Sequence, residues 1–202
     1  MNEVIGVILA GGESSRFQDG EKVLISLGGE TLINRSIRKA GKQVDRVVLS
    51  LNERILKKVN SNLPKIVDLS FHNVGPLGGI FSTLQWISIN YPLVKNVVYF
   101  AADVPFFPDD FVAKLISKKN ENNSKKLFCV SYEGRIQPLF SLWDVTLKQS
   151  LYSHLLKKKY KVESFFNEHS FEVVDLEITD PPSFFNINRV SDIKKLNTYN
   201  LY

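Results

Sequence analysis

Cysteine is almost missing from this chain of 202 residues: Cys129 stands alone, so no disulfide can form within it. That excludes the small disulfide-stapled classes and fits a reducing compartment. Cys129 lies inside the apolar run LFCVSY, the setting of a packed core thiol rather than of a nucleophile. Long hydrophobic runs are also lacking. No stretch approaches the roughly 18 apolar residues of a membrane span, and 23% of the residues are charged, so a soluble, cytoplasmic protein with no membrane partner is expected. The opening MNEVIGVILAGG has neither a basic leader nor a small-residue cleavage site, and no secretory signal is expected there. Two phosphate fingerprints are absent, the G-x-x-x-x-G-K-[ST] of Walker A loops and the G-x-G-x-x-G of dinucleotide folds. His72, His154 and His169 fall in no metal-ligand spacing and are expected at the surface or in packing.

What is present is enough apolar material, 44% of residues, for one good core, and 1–202 reads as a single domain. Buried-strand patterns occur at 4–9, 44–50, 65–68 and 97–102, with helical patterns at 31–43, 53–61, 78–90 and 109–119 between and after them. The alternation predicts an α/β fold, a Rossmann-like three-layer α/β/α arrangement around a mostly parallel sheet. In the C-terminal half, strands at 127–132, 138–143 and 171–178 are expected to extend the same sheet, with helices at 145–157, 161–168 and 190–197. Trp86 and Trp143 read as core residues. Lysine and arginine exceed aspartate and glutamate by 26 to 21, but the cations are dispersed. The densest run, KKKYK at 157–161, reads as a solvated helix end, so no nucleic-acid partner is expected; a mildly positive field would draw in a small polyphosphate.

Right-handed crossovers put the first four strands in the order 3-2-1-4, and ligands of such sheets sit beyond the carboxyl ends of the strands where the order reverses. The loops there are LAGGESSRFQDGEK after strand 1 and ADVPFF after strand 4. Two readings of the first loop stand side by side: an ordinary glycine and serine turn, or a phosphate seat made of free backbone N–H groups with Arg16 and Lys22 reaching around a triphosphate. Asp103 either holds Mg²⁺ or serves as a turn aspartate before the helix, a task for which Asp109 is available. The third unusual loop, HNVGPLGGI, fits both a close approach to a ligand and a plain strand-to-helix turn.

Taken in order, LAGGESSRFQDGEK, GPLGG, DVP, QPLFSLW and NINRVSDI resemble the molybdenum cofactor guanylyltransferases, the MobA-like nucleotidyltransferases, over nearly the whole chain. The resemblance implies transfer of GMP from Mg·GTP to the terminal phosphate of molybdopterin cofactor, giving the guanine dinucleotide cofactor and pyrophosphate. It implies a nucleotide-binding half at 1–105 and a pterin-binding or acceptor-binding half at 106–202. Leu9, Ala10, Gly11 and Gly12 would line the nucleotide site, Lys22 and Arg16 would balance phosphate charge, and Asn52 and Asp68 would contact the guanosine. Asp103 would hold Mg²⁺, and Asn186 and Asn188 would lie on the far side of the cleft, nearer the acceptor. Implied partners are GTP, molybdopterin cofactor, and other proteins of cofactor biosynthesis or the chaperone of a recipient molybdoenzyme. The chain departs from the family pattern at Phe17-Gln18, Glu21, Gln137 and the NRVSD segment. Alternatives of other kinds are a cytidylyltransferase acting on molybdopterin or a sugar or polyol phosphate, and a non-catalytic nucleotide-binding or cofactor-binding chaperone.

Overall fold

Strand-forming and helix-forming segments alternate as their periodicity demands, and a computed structural model describes them over residues 3–11, 22–68, 71, 74–177, 183–188 and 190–196. In chain order they are β1 (Val4–Leu9), β2 (Ser26–Leu27), β3 (Glu30–Thr31), α1 (Leu32–Ala40), β4 (Arg46–Leu51), α2 (Glu53–Leu56), β5 (Lys65–Val67) and α3 (Pro76–Asn90). There follow β6 (Asn96–Ala101), α4 (Phe111–Glu121), β7 (Leu127–Tyr132), β8 (Arg135–Asp144), α5 (Lys148–Leu156), α6 (Val162–Glu168), β9 (Glu172–Leu176) and α7 (Val190–Leu196). Short 3-10 turns occupy Lys22–Leu24 and Val145–Leu147.

The seven-stranded sheet runs β5-β4-β1-β6-β8-β7-β9. Its first four strands are parallel in the expected 3-2-1-4 order, β8 is antiparallel to both β6 and β7, and β9 returns parallel to β7. Alternation along each strand divides the interior into two cores. Ile8, Leu49 and Phe100 face α1, α2 and α4 on one side, while Ile5, Val7, Val48 and Tyr99 face α3, α5 and α6 on the other. Each fully buried Ile, Leu or Phe contributes roughly 1.5–3 kcal/mol, so the period-2 pattern of the strands holds their register against a one-residue slip. Trp143 is fully buried and stacked on Phe165 at 5.0 Å, and Trp86 is half-buried against Tyr91. Cys129 is buried, and burial pushes its thiol up to about 12, which keeps it an inert packing group at neutral pH.

Three local expectations are corrected. The helix predicted over 53–61 ends at Leu56, because the carbonyl of Val59 accepts from the Lys65 ammonium at 2.7 Å and the carbonyl of Pro64 accepts from Leu49 N, turning the chain back onto β4. Asp109 does not cap α4; it pairs with Lys39 at 2.7 Å, and Asp110 occupies the cap position. The β2–β3 hairpin, with Gly28 and Gly29 at positive φ, has no counterpart in the sequence expectations, since two-residue strands are too short to show a period.

His154 and His169 lie where packing needs them. His154 is buried, with Nδ1 2.9 Å from Glu168 Oε2 and Nε2 3.3 Å from Ser164 Oγ, so it ties α5 to α6; His169 stacks on Phe165 at 4.0 Å. His72 lies outside the described residues. Lys159 and His154 together hold the Glu168 carboxyl down to about 2. A depressed carboxyl pKa stabilises the fold above the unfolded value and loses that contribution as pH falls through the folded one. Glu168→Gln is therefore expected to lower the melting temperature at neutral pH, and the gap to the parent is expected to close as pH is lowered from about 4.5 to about 2. Thermal unfolding by circular dichroism across that range checks this.

Candidate active site

At the carboxyl edge of the sheet the strand order reverses between β1 and β6, and the backbone binds the two loops together there. Ala102 N donates to the Leu9 carbonyl at 3.0 Å, and Ala10 N donates to the Ser50 carbonyl at 2.8 Å. Leu9, Ala10 and Gly11 thus leave the sheet beside both Asn52 and Asp103. The segment after β6 is stiff for a visible reason: Val104, Pro105, Phe106 and Phe107 are buried. Behind them Phe100, Phe107, Phe111 and Phe140 form a cluster with ring centres 5.2 to 6.4 Å apart. Asp103 is aimed by this packing, and its carboxylate remains partly exposed.

Lys22 is the centre of the site. Its ammonium donates to Asp103 Oδ2 at 2.6 Å, to Asn188 Oδ1 at 2.6 Å and to Asn186 Oδ1 at 3.1 Å, so all three N–H directions of a nearly buried cation are satisfied. These partners lie 81, 164 and 166 residues away in the chain. Asn186 and Asn188 were expected on the far side of the cleft; their side-chain oxygens instead share one ammonium with Asp103. The backbone reinforces the arrangement, with Ile187 N donating to the Asp103 carbonyl at 2.9 Å and Phe184 N to the Phe106 carbonyl at 2.7 Å. Phe184 holds φ 61°, costly for an aromatic residue, and the packing of its ring 4.9 Å from Phe140 offsets that strain. A small core of Leu27, Leu32, Phe106, Ile187 and Leu196 closes the junction below.

A second polar cluster lies at the start of α3. Asp68 Oδ1 accepts from Phe71 N and from Ser82 Oγ, both at 3.0 Å. A methyl group on Gly78 would fall 1.9 Å from Asp68 Oδ2 and 2.9 Å from Val74 Cγ2, so the second glycine loop answers a real close approach. Gly75 precedes the helix at φ 71°, ψ −157°, a region open only to glycine. Ser82, one turn after Gly78, was missed from sequence because a serine within an apolar helix carries no distinguishing signal. Asn52 Oδ1 caps α2 by accepting from Ile55 N at 3.1 Å, and its amide nitrogen reaches the Gly11 carbonyl at 3.4 Å. Gly12 and Arg16 lie outside the described residues.

Beside Asp103 and Asn186 opens a cavity of about 330 Å³. Gln137 and Pro138 of the QPLF segment line it, and so do Pro76, Tyr160, Lys161 and Glu163. Among the described residues no group of three or more His, Cys, Asp or Glu side chains could hold a metal ion. Asp103 therefore offers a single carboxylate, the donor set suited to Mg²⁺ that arrives with nucleotide phosphates and keeps its waters, and unsuited to an all-protein cage. Among the described residues no helix is long and apolar enough to cross a membrane.

Residues 6–173 match the model of the MobA-like NTP transferase domain. The chain belongs to this family. Curated MobA-like relatives include the molybdenum cofactor guanylyltransferase of Nitrobacter hamburgensis, 32% identical over 93% of this chain and 90% of that protein. The enzyme of the same name from Rhizobium rhizogenes is 32% identical over 95% of this chain and 89% of its own length. Among solved structures, molybdopterin-guanine dinucleotide biosynthesis protein A from Archaeoglobus fulgidus superposes with a TM-score of 0.76 over 95% of both chains at 22% identity, which establishes the shared fold.

Two substitutions in this MobA-like site test the packing. Gly78→Ala is expected to destabilise by about 1–3 kcal/mol through overpacking, because Asp68 is held at both Phe71 N and Ser82 Oγ and cannot swing aside. Lys22→Met is expected to cost about 1–3 kcal/mol, between the values for exposed and buried ion pairs, and to loosen the segment carrying Asn186 and Asn188. Urea unfolding measures both, and hydrogen exchange at 184–188 reads the second.

Proposed function

We propose that this MobA-like protein is a molybdenum cofactor guanylyltransferase: it transfers GMP from GTP to the terminal phosphate of molybdopterin cofactor and releases pyrophosphate. The observation that carries the reading is the convergence of Lys22, Asp103, Asn186 and Asn188 at the strand-order reversal, within 3.1 Å of a single ammonium. The names of the Nitrobacter and Rhizobium relatives support the choice of base and acceptor. The half at 1–105 would bind the nucleotide along Leu9, Ala10, Gly11, Gly12, Asn52 and Asp68, and the half at 106–202 would bind the acceptor. The chain would act as one domain in the cytoplasm, where its single buried thiol is at no disadvantage.

In this mechanism no protein nucleophile is needed. An oxygen of the acceptor phosphate attacks the α-phosphorus of GTP, forming one P–O bond while the bond from that phosphorus to the bridging oxygen of the β-phosphate breaks and pyrophosphate leaves with the electron pair. The protein contributes positioning and charge stabilisation. Lys22, with Arg16, would meet negative charge as it shifts toward the leaving pyrophosphate, exchanging one of its present acceptors for phosphate oxygen. Asp103 would hold the Mg²⁺ carried by the nucleotide, and that ion would neutralise charge on the bridging and terminal oxygens. Asn186 and Asn188, released in part from Lys22, would present amide groups to the acceptor phosphate.

Purified protein incubated with each of the four NTPs, Mg²⁺ and molybdopterin cofactor is expected to release pyrophosphate and form a dinucleotide with GTP. Preference for CTP would replace this reading with the cytidylyltransferase one, and binding without turnover would leave the chaperone. Lys22→Ala and Asp103→Ala are each expected to lower kcat by about 10²-fold or more; full activity in Asp103→Ala would reject its metal role.

A further inference from the structure

The pole opposite Asp103, where β7 and β9 begin and β8 ends, carries a second cavity of about 310 Å³. The length of β6, 6 residues or about 20 Å, separates it from the candidate active site. Leu127 and Leu147 give it an apolar wall, and Lys125, Lys126, His169 and Ser170 also line it. Its cations lack a counter-charge. The Lys125 ammonium donates to Ser170 Oγ and the Lys126 ammonium to Thr146 Oγ1 at 3.0 Å, both neutral hydroxyls, and among the described residues neither has a carboxylate within 4.0 Å. Lys148, next to Leu147, likewise donates to Ser88 Oγ at 2.8 Å. The carboxylates of the same segments are engaged elsewhere: Asp144 accepts from Thr146 N at 2.9 Å, Glu172 accepts from Asn122 Nδ2 at 3.2 Å, and Glu121 pairs with Lys118 at 3.5 Å. An ammonium carries three N–H donors, so Lys125 and Lys126 each keep two unclaimed among the described residues, and Ser170, which accepts from Lys125, keeps its hydroxyl proton. His169 is wall rather than donor, because Nδ1 must donate to the Phe165 carbonyl at 2.8 Å and Nε2 meets Ser150 Oγ at 2.5 Å.

We propose that this cavity is a binding site for a diphosphate-bearing anion, separate from the candidate active site. The sheet sets its width. Ser170 stands just before β9 and Thr146 just after β8, and β7 lies between those strands. Two steps of about 4.8 Å between neighbouring strands separate the two anchoring hydroxyls by roughly 10 Å. A diphosphate with a charge-assisted hydrogen bond of about 2.8 Å at each end bridges ammoniums held at such a spacing, whereas a single phosphate reaches one of them. One phosphate takes Lys125 and the Ser170 hydroxyl, and the other takes Lys126. Leu127 and Leu147 keep water from one side of the anion, which strengthens its attraction to both cations. Lys126 and Ser170 are exposed, so the mouth admits inorganic pyrophosphate or the diphosphate of a nucleotide, the same chemistry from two sources.

Hydrogen exchange of the full chain, followed by mass spectrometry during titration with sodium pyrophosphate and no added metal, reads binding at this pole separately from any at Lys22. The amides of 124–127 and 169–171 are expected to gain protection together, with one apparent Kd. Lys125→Ala and Lys126→Ala are each expected to raise that Kd about tenfold, the loss of a charge-assisted hydrogen bond, and inorganic phosphate is expected to bind about tenfold more weakly than pyrophosphate. Lys42→Ala, an exposed control for net charge on α1, is expected to leave the Kd within about twofold. GDP in the same titration distinguishes the sources. Protection of 124–127 by GDP assigns the diphosphate to a nucleotide, protection by pyrophosphate alone assigns it to the inorganic anion, and either supports the site. No protection of these amides at millimolar pyrophosphate would overturn the proposal. Equal Kd for the parent and both variants, all with the parent melting temperature, would also overturn it, and equal affinity for phosphate and pyrophosphate would overturn the two-ended geometry.

Discussion

A nearly buried ammonium must find an acceptor for each of its three N–H groups or lose its place, and in this protein Lys22 finds them on Asp103, Asn186 and Asn188. That requirement draws together the segment after β1, the end of β6 and the C-terminal segment, none of which is near another in sequence. The cation does not act alone. Bonds from Ile187 N and Phe184 N to the 103–106 backbone, and the small core under Ile187, make the same junction without charge. The ionic contact selects the side chains, and the backbone and apolar contacts set their distance.

The sheet supplies the rigid base for this meeting. Because α1 and α2 cover one face and α3 the other, the chain crosses over between β5 and β6, and the carboxyl ends of β1 and β6 open onto a crevice. On one side of that crevice the start of α3 presses against Asp68, with Gly78 leaving room for the carboxylate. On the other side the Phe100–Phe107–Phe111–Phe140 cluster props the loop that carries Asp103. Side chains placed by such packing lose little freedom when a ligand binds, which is how a site without a nucleophile can favour a transition state.

The same physical logic separates the two sides of the cleft. The side at the ends of β1, β4 and β5 is built from backbone and short side chains, where the fold itself dictates position. The side facing Gln137 and Tyr160 is built from a β8 segment and from a turn whose shape depends on His154 and Glu168, contacts between two helices that other sequences could make differently. Gln137, one of the departures from the family pattern, falls on this second side, where the constraint from the sheet is weaker.

Much of the architecture was legible without coordinates. Apolar runs rich in β-branched residues located all seven strands of the main sheet, because most of these strands are buried on both faces, and the glycine and proline breaks marked the turns between them. The loop after strand 1 and Asp103 were singled out because ligands of a doubly wound sheet sit beyond the strand ends, whereas Leu9, Ala10, Asn52 and Asp68 were singled out by the resemblance to the MobA-like family. The early end of α2, the β2–β3 hairpin and the cap of α4 were not, because each is decided by a contact such as Lys65 with Val59 or Lys39 with Asp109 that no local pattern announces. The sequence by itself determined the fold class, the order of the parallel strands and the chemical types available at their ends, since these follow from periodicity and crossover handedness. Only the tertiary structure decided that Asn186 and Asn188 share an ammonium with Asp103, that Ser82 holds Asp68, and that a run of lysines turns Lys161 toward a cavity. Those outcomes depend on contacts across more than ten residues of chain, and periodicity carries no information about them.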